Sequence, residues 1–247
     1  MYLLIPAAGV GKRMGADGNK LLLQLRGKPL LAWTLTSALH TSSLTWIGII
    51  GQKYDFPAFE EILSQLSLSK PVVLIEGGET RQQSVYNGLR ALPPTAQKVL
   101  IHDGARCLAT PDLFERCAQE LSTCQALIAG VTVKDTIKIV DGENVIIDTP
   151  NRNFLRAAQT PQGFDVKLLK QCHQKGLDLG WEVTDDAALL EKCGYPVKIV
   201  EGEETNLKVT TPIDLTIADF VLQNFVDNSP ASLSSLPPPC LHCISDE

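Results

Sequence analysis

The chain has 247 residues, 44% of them hydrophobic, with 28 acidic against 22 basic side chains and a net charge of −6. That length suits one large domain or two, the apolar content suits a buried core, and the acidic balance speaks against a nucleic-acid surface. No apolar run reaches membrane-spanning length, and no export signal precedes the first strand signal. The seven scattered cysteines suit reduced thiols better than a disulfide framework. The expected compartment is the cytoplasm, or an organelle stroma if a transit peptide has been removed.

Tyr2 to Ile5 reads as a first strand, followed by a loop from Pro6 to Lys20 with glycines at 9, 11, 15 and 18. Such a loop can turn successive N–H groups inward, and Lys12, Arg13 and Lys20 add positive charge, so it reads as a polyphosphate cradle. Taken alone it also reads as a glycine-rich surface turn. Two known phosphate loops are excluded by spacing. Arg13 follows Gly11-Lys12 where a Walker loop needs Ser or Thr, and Met14 stands where the dinucleotide fingerprint needs its third Gly. Helix signals then run over 30–39, 56–66, 80–92 and 112–121, with strand signals at 44–50, 72–75, 99–102 and 126–131 between them. Thr80-Arg-Gln-Gln83 resembles a capping box. This alternation predicts an α/β core over residues 1 to about 132, built on a mainly parallel sheet covered by helices on both faces.

From about 134 to 154 the rhythm changes. Thr136–Val140 and Val145–Ile147 are β-rich and joined by Asp141-Gly142, which predicts a two-stranded arm too small to stand alone. Helices follow at 166–175 and 185–193, then a strand at 197–200 and a last helix from Pro212 to about 225. The whole reads as one domain over 1–228. The Pro/Ser-rich tail, 229–247, reads as disordered. Cys240-Leu-His-Cys243 lies in that tail without a nearby fourth zinc ligand and reads as incidental.

Candidate chemistry clusters where strands end. Gly77-Gly78-Glu79-Thr80-Arg81 offers a helix N-terminus to a ligand, with Ser84 one turn on, although a turn with a surface arginine explains the same residues. His102-Asp103-Gly104-Ala105-Arg106 follows a strand that should neighbour the first loop. Asp103 there suits Mg²⁺, Arg106 suits a second anionic group, and His102 reads as structural. Arg152 beside the arm and Lys208 before the last helix add cations. Arg13, Lys20, Arg106, Arg152 and Lys208 in an acidic chain suggest phosphoryl or nucleotidyl transfer rather than hydride transfer.

These motifs, with Asp135-Thr136, Gln159-Thr160-Pro161-Gln162, Thr184-Asp185-Asp186 and Asn206-Leu-Lys-Val-Thr210, occur in an order that resembles the 2-C-methyl-D-erythritol 4-phosphate cytidylyltransferase family over residues 2 to about 225. The resemblance implies a Rossmann-like fold with a protruding β-ribbon arm. It also implies a homodimer formed through that arm, and a reaction using CTP and Mg²⁺. It implies that Ala7, Ala8, Gly9, Gly78 and Ser84 hold the nucleotide together with Lys208, Arg13 and Lys20. Arg13 and Lys20 would neutralise charge at the α-phosphorus, and Arg152 and Lys208 would place the attacking phosphate. Asp103, Arg106, Thr136 and Thr160 would recognise the polyol phosphate, with Thr136 and Arg152 supplied across the dimer. The family often has Pro-Lys-Gln at 19–21, Asp at 79 and Ala at 104, where this chain has Asn19-Lys20-Leu21, Glu79 and Gly104. The competing readings are a ribitol-5-phosphate cytidylyltransferase and a non-catalytic nucleotide-binding homologue.

Overall fold

The computed structural model describes residues 1–9 and 18–226, so Arg13 and the tail lie outside the described residues. Among those described, no helix is long and apolar enough to cross a membrane. The five described cysteines are free thiols.

The sheet is built around β1 (Tyr2–Pro6), whose Leu3, Leu4 and Ile5 are fully buried. β1 pairs in parallel with β4 (Trp46–Gly51) on one side and β6 (Lys98–Ile101) on the other. β5 (Val72–Glu76) extends the sheet beyond β4. Successive β1 side chains point to opposite faces, which assigns Leu3 and Ile5 to one apolar cluster and Leu4 to the other. Helices α1 (Leu30–His40), α2 (Phe56–Ser64) and α4 (Pro111–Glu120) pack on the first face. Helices α3 (Arg81–Ala91), α5 (Val166–Asp178) and α6 (Asp186–Lys192) pack on the second. The expected helical cover on both faces is present. The capping box is also formed: Thr80 Oγ1 accepts from the Gln83 N–H (3.1 Å), and Gln83 Oε1 accepts from the Thr80 N–H (3.3 Å).

The core does not end near 132. β7 (Ala126–Thr132) pairs with β10 (Arg156–Asp165) and with β11 (Lys198–Glu201), giving seven strands in the order β11-β7-β10-β6-β1-β4-β5. β10 is antiparallel to both neighbours and sits inside the sheet. Its sequence hid it, because Pro161 and Gly163 fall where a central strand normally excludes them. The structure accommodates Pro161 at an irregularity, where the register with β7 shifts between Ala158 and Gln162. A second unforeseen element is the hairpin of β2 (Gln24–Leu25) and β3 (Lys28–Pro29). Its turn residues Arg26 and Gly27 both have positive φ (51° and 74°), the backbone that a two-residue hairpin requires.

The arm is shorter than expected, with β8 (Ile139–Val140) and β9 (Ile146–Asp148) paired antiparallel. Its turn is not a two-residue Asp-Gly turn. Asp141 closes a five-residue loop by accepting the N–H groups of Glu143 (2.9 Å) and Val145 (3.0 Å), and Asn144 takes the positive φ of 62°. The last helix, α7 (Pro212–Val226), closes a third apolar cluster over Leu25, Leu30 and Leu108.

Candidate active site

The chain leaves β1 toward β4 and β5, then returns to β6 on the other side, so the carboxyl end of β1 is a topological switch point. A cleft of about 440 Å³ opens there, a size that suits a small-molecule site. Its walls are Pro6–Gly9 after β1, Gln52 after β4, Gly78–Arg81 and Ser84 after β5, and Asp103–Ala105 after β6, with Lys20, Leu21 and Lys208. Four separated stretches of sequence therefore meet because the sheet aligns their strand ends.

Asn19 explains how Lys20 reaches this cleft. Its side chain is buried and donates to the Ala7 carbonyl (2.7 Å) and to Asp55 Oδ2 (2.9 Å), while Oδ1 accepts the Leu21 N–H (3.0 Å). The turn carrying Lys20 is thus fastened to the end of β1. Lys20 Nζ donates to the Val209 carbonyl (2.9 Å), next to Lys208. Gly104 fits the same packing, since a Cβ there would stand 2.7 Å from Leu21 Cδ1. An alanine at 104 would therefore press on Leu21.

Gly78 and Ser84 line the cleft and are already bonded to each other. Ser84 Oγ accepts the Gly78 N–H (3.0 Å) and donates to the Thr80 carbonyl (2.8 Å). A Cβ on Gly78 would stand 2.5 Å from Gln83 Cβ, so the close approach of this turn to α3 requires glycine. Glu79 lines the cleft and is exposed.

Asp103 sits at the bottom of the site among three cations. Lys208 Nζ lies 2.8 Å from Oδ2, Arg106 Nε lies 3.8 Å from Oδ2, and Arg81 Nε lies 4.0 Å from Oδ1. Burial opposes its ionisation, but Lys208, Arg81 and Arg106 together hold its carboxyl below the ordinary value. Among the described residues no group of three or more His, Cys, Asp or Glu side chains is placed to hold a metal. Asp103, expected from the sequence as a Mg²⁺ ligand, has its charge shared among these three protein cations.

Arg106 is also more engaged than its sequence position suggested. It donates from Nη1 to the Asn206 carbonyl (2.8 Å) and from Nη2 to the Ala158 carbonyl (3.2 Å). It thereby ties the loop after β6 to β10 and to the segment before α7. Asn206 completes the latch, with Nδ2 donating to the Thr160 carbonyl (2.8 Å) and to Gln159 Oε1 (3.2 Å). Neither Asn206 nor Gln159 was foreseen in a role, because a buried amide leaves no periodic signature in sequence.

Thr160 belongs to a chain of donors and acceptors. Its Oγ1 accepts the Asp103 N–H (3.0 Å) and lies 3.0 Å from His102 Nδ1. His102 Nε2 lies 3.1 Å from the Arg106 carbonyl, which can only accept. Nε2 therefore carries the proton, and Thr160 donates to Nδ1. His102 is fully buried against the Phe114 ring, and burial pushes its pKa down to about 4 from 6.5. The unfolded chain would take up a proton near 6.5, so this neutral imidazole contributes stability that is complete above pH 6.5. That contribution is lost as pH falls toward 4, at roughly 1.4 kcal/mol per pH unit. Urea unfolding between about pH 7 and pH 4.5 should show this slope in the wild type, and a shallower one in His102→Gln.

A smaller pocket of about 150 Å³ adjoins the cleft and shares Arg81, Asp103 and Lys208 with it. Arg106, Ala158, Gln159, Thr160, Gln162, Thr184 and Asp185 complete its wall. Arg81, read from sequence as a surface arginine, thus stands at the junction of two cavities. Thr136 and Arg152 do not line either cavity. Thr136 is exposed on the arm, and Arg152 Nη1 donates to the Lys134 carbonyl (2.8 Å).

A sequence model of the family described as "IspD: 2-C-methyl-D-erythritol 4-phosphate cytidylyltransferase" matches residues 1–224. A protein of that name from Crocosphaera subtropica is 71% identical over 223 residues, covering 90% of this chain and 98% of the relative. Another from Synechocystis sp. is 68% identical over 222 residues, covering 90% and 96%. Among solved structures, the 4-diphosphocytidyl-2C-methyl-D-erythritol synthase of Anaerococcus prevotii superimposes with a TM-score of 0.81 at 33% identity, covering 90% of this chain and 97% of that one. The Thermus thermophilus cytidylyltransferase gives 0.73 at 33% identity, covering 90% and 98%. With the α/β fold and the strand-end cleft in place, the chain belongs to the 2-C-methyl-D-erythritol 4-phosphate cytidylyltransferase family.

Proposed function

We propose that the two adjoining cavities bind the two substrates of one transfer: CTP in the larger cleft and 2-C-methyl-D-erythritol 4-phosphate in the smaller pocket. The observation that carries this reading is their shared wall of Arg81, Asp103 and Lys208, which would bring an acceptor phosphate beside the nucleotide. A phosphate oxygen of the acceptor attacks the α-phosphorus. The new O–P bond forms as the bond to the bridging oxygen of the β-phosphate breaks, and pyrophosphate leaves. The products are 4-diphosphocytidyl-2-C-methyl-D-erythritol and pyrophosphate. The protein does no covalent work; Lys20, Lys208 and Arg13 supply fixed positive charge where negative charge gathers. Ala7, Ala8, Gly9, Gly78 and Ser84 shape the nucleotide side, and Asp103, Arg106 and Thr160 the acceptor side. Mg²⁺ would accompany the CTP phosphates and share in neutralising their charge, with Asp103 the carboxylate on the cleft wall.

We read the enzyme as a cytoplasmic homodimer. The arm exposes Ile139, Val140, Val145, Ile146 (57%) and Ile147 (62%), with Phe154 (85%) at its base. A ribbon this apolar and this thin needs a covering surface. A second copy would also bring Thr136 and Arg152 toward a pocket that they do not reach within their own chain. Sedimentation should therefore show a dimer, and Ile146→Asp with Ile147→Asp should shift it to monomer and lower activity at least about tenfold. A monomeric, fully active wild type would remove the arm from the site. For the reaction itself, pyrophosphate release should require CTP and methylerythritol phosphate together; turnover of ribitol 5-phosphate alone would favour the sibling activity.

A further inference from the structure

We propose that Arg81 is a positioning residue, held by the buried Asp186, that fixes Asp103 and with it the acceptor substrate. The inference rests on the reading of the smaller pocket as the acceptor site.

Arg81 is the first residue of α3, where the helix dipole disfavours a positive charge. Its placement makes sense through its partners. Nη2 forms an ion pair with Asp186 Oδ2 at 2.8 Å, and Nε faces Asp103 Oδ1 at 4.0 Å. Burial works against the guanidinium, but Asp186, Asp103 and Asp185 raise its pKa on balance. Asp186 is 1% exposed and lines neither cavity, so it cannot touch a substrate. Its other oxygen lies 3.2 Å from Nε2 of His173, which is fully buried and stacked on Tyr86 of α3. Tyr86 in turn donates to Gln174 Oε1 (3.0 Å) of α5. Helices α3, α5 and α6 thus form a rigid backing for Asp186, and Arg81 transmits that rigidity to Asp103. Loss of the anchor would let Asp103 fall toward Lys208 and Arg106 alone.

The test uses Asp186→Asn and Arg81→Lys in the full chain, with steady-state kinetics in both substrates and a melting curve for each. The expected result is a fall of roughly 10- to 100-fold in kcat/KM for methylerythritol phosphate, the scale of a small misplacement at a reacting centre. In Asp186→Asn, whose residue lines neither cavity, KM for CTP should stay within about twofold. The double variant should be little worse than either single one, because both act through one chain. Unchanged acceptor kinetics in a folded Arg81→Lys would overturn the proposal. So would parallel losses toward both substrates that track the melting temperature. If Asp186→Asn fails to fold, Arg81→Lys, whose side chain is partly exposed, carries the test by itself. A wild type that fails to turn over methylerythritol phosphate would instead contradict the underlying reading of the pocket.

Discussion

Lys20→Ala is expected to lower kcat on the order of 10² to 10³-fold while the protein stays folded. The side chain lies on the wall of the cleft, on a turn that Asn19 fastens to the end of β1. Its contact to the Val209 carbonyl contributes on the order of 1 kcal/mol or little more. Stability should therefore change little, and the loss should fall on the chemical step. Steady-state pyrophosphate release with saturating CTP and acceptor measures it, with circular dichroism to show the fold. Near-normal turnover would remove Lys20 from charge stabilisation. The same magnitude is expected for Arg13→Ala, on the sequence argument alone.

Lys208→Met should cost at least about 10²-fold in kcat/KM for the acceptor. Methionine keeps an apolar stem of similar length but leaves Asp103 without its nearest cation, 2.8 Å away. Arg81 and Arg106 remain, so the carboxylate is not abandoned, only displaced and less well neutralised. Asp103→Asn should also impair the acceptor step, because it leaves three cations crowded around a neutral amide. The two residues act as a unit, so the double variant should lose clearly less than the product of the single losses. Additive losses would mean that Lys208 and Asp103 serve separate substrates.

Much of this site was legible because its residues sit where strands end. A glycine loop after β1, a glycine pair after β5 and an acid after β6 each leave a local pattern, and the sheet order brings the three patterns together. The hidden parts are those whose meaning is purely tertiary. β10 carries a proline and a glycine in a central strand, against every local rule, and is held by its neighbours on both sides. Arg81 looks like any solvated arginine until α6 places Asp186 beside it. Arg106 and Thr160 were legible as site residues. Their engagement with the Asn206 and Ala158 carbonyls and with His102 required knowing which loops touch. Asp103 was legible as an acid between phosphate loops, but its three cationic neighbours come from segments that only the fold brings together.

The assignment of the two cavities is the centre of this account, and a crystal structure with CTP and a methylerythritol phosphate analogue tests it most directly. The account predicts the triphosphate between Ala7–Gly9 and Lys20, the nucleoside against Gly78 and Ser84, and the acceptor phosphate beside Lys208 with its polyol at Asp103. Density for either substrate outside these walls, or an acceptor lodged away from Asp103 and Lys208, would contradict it.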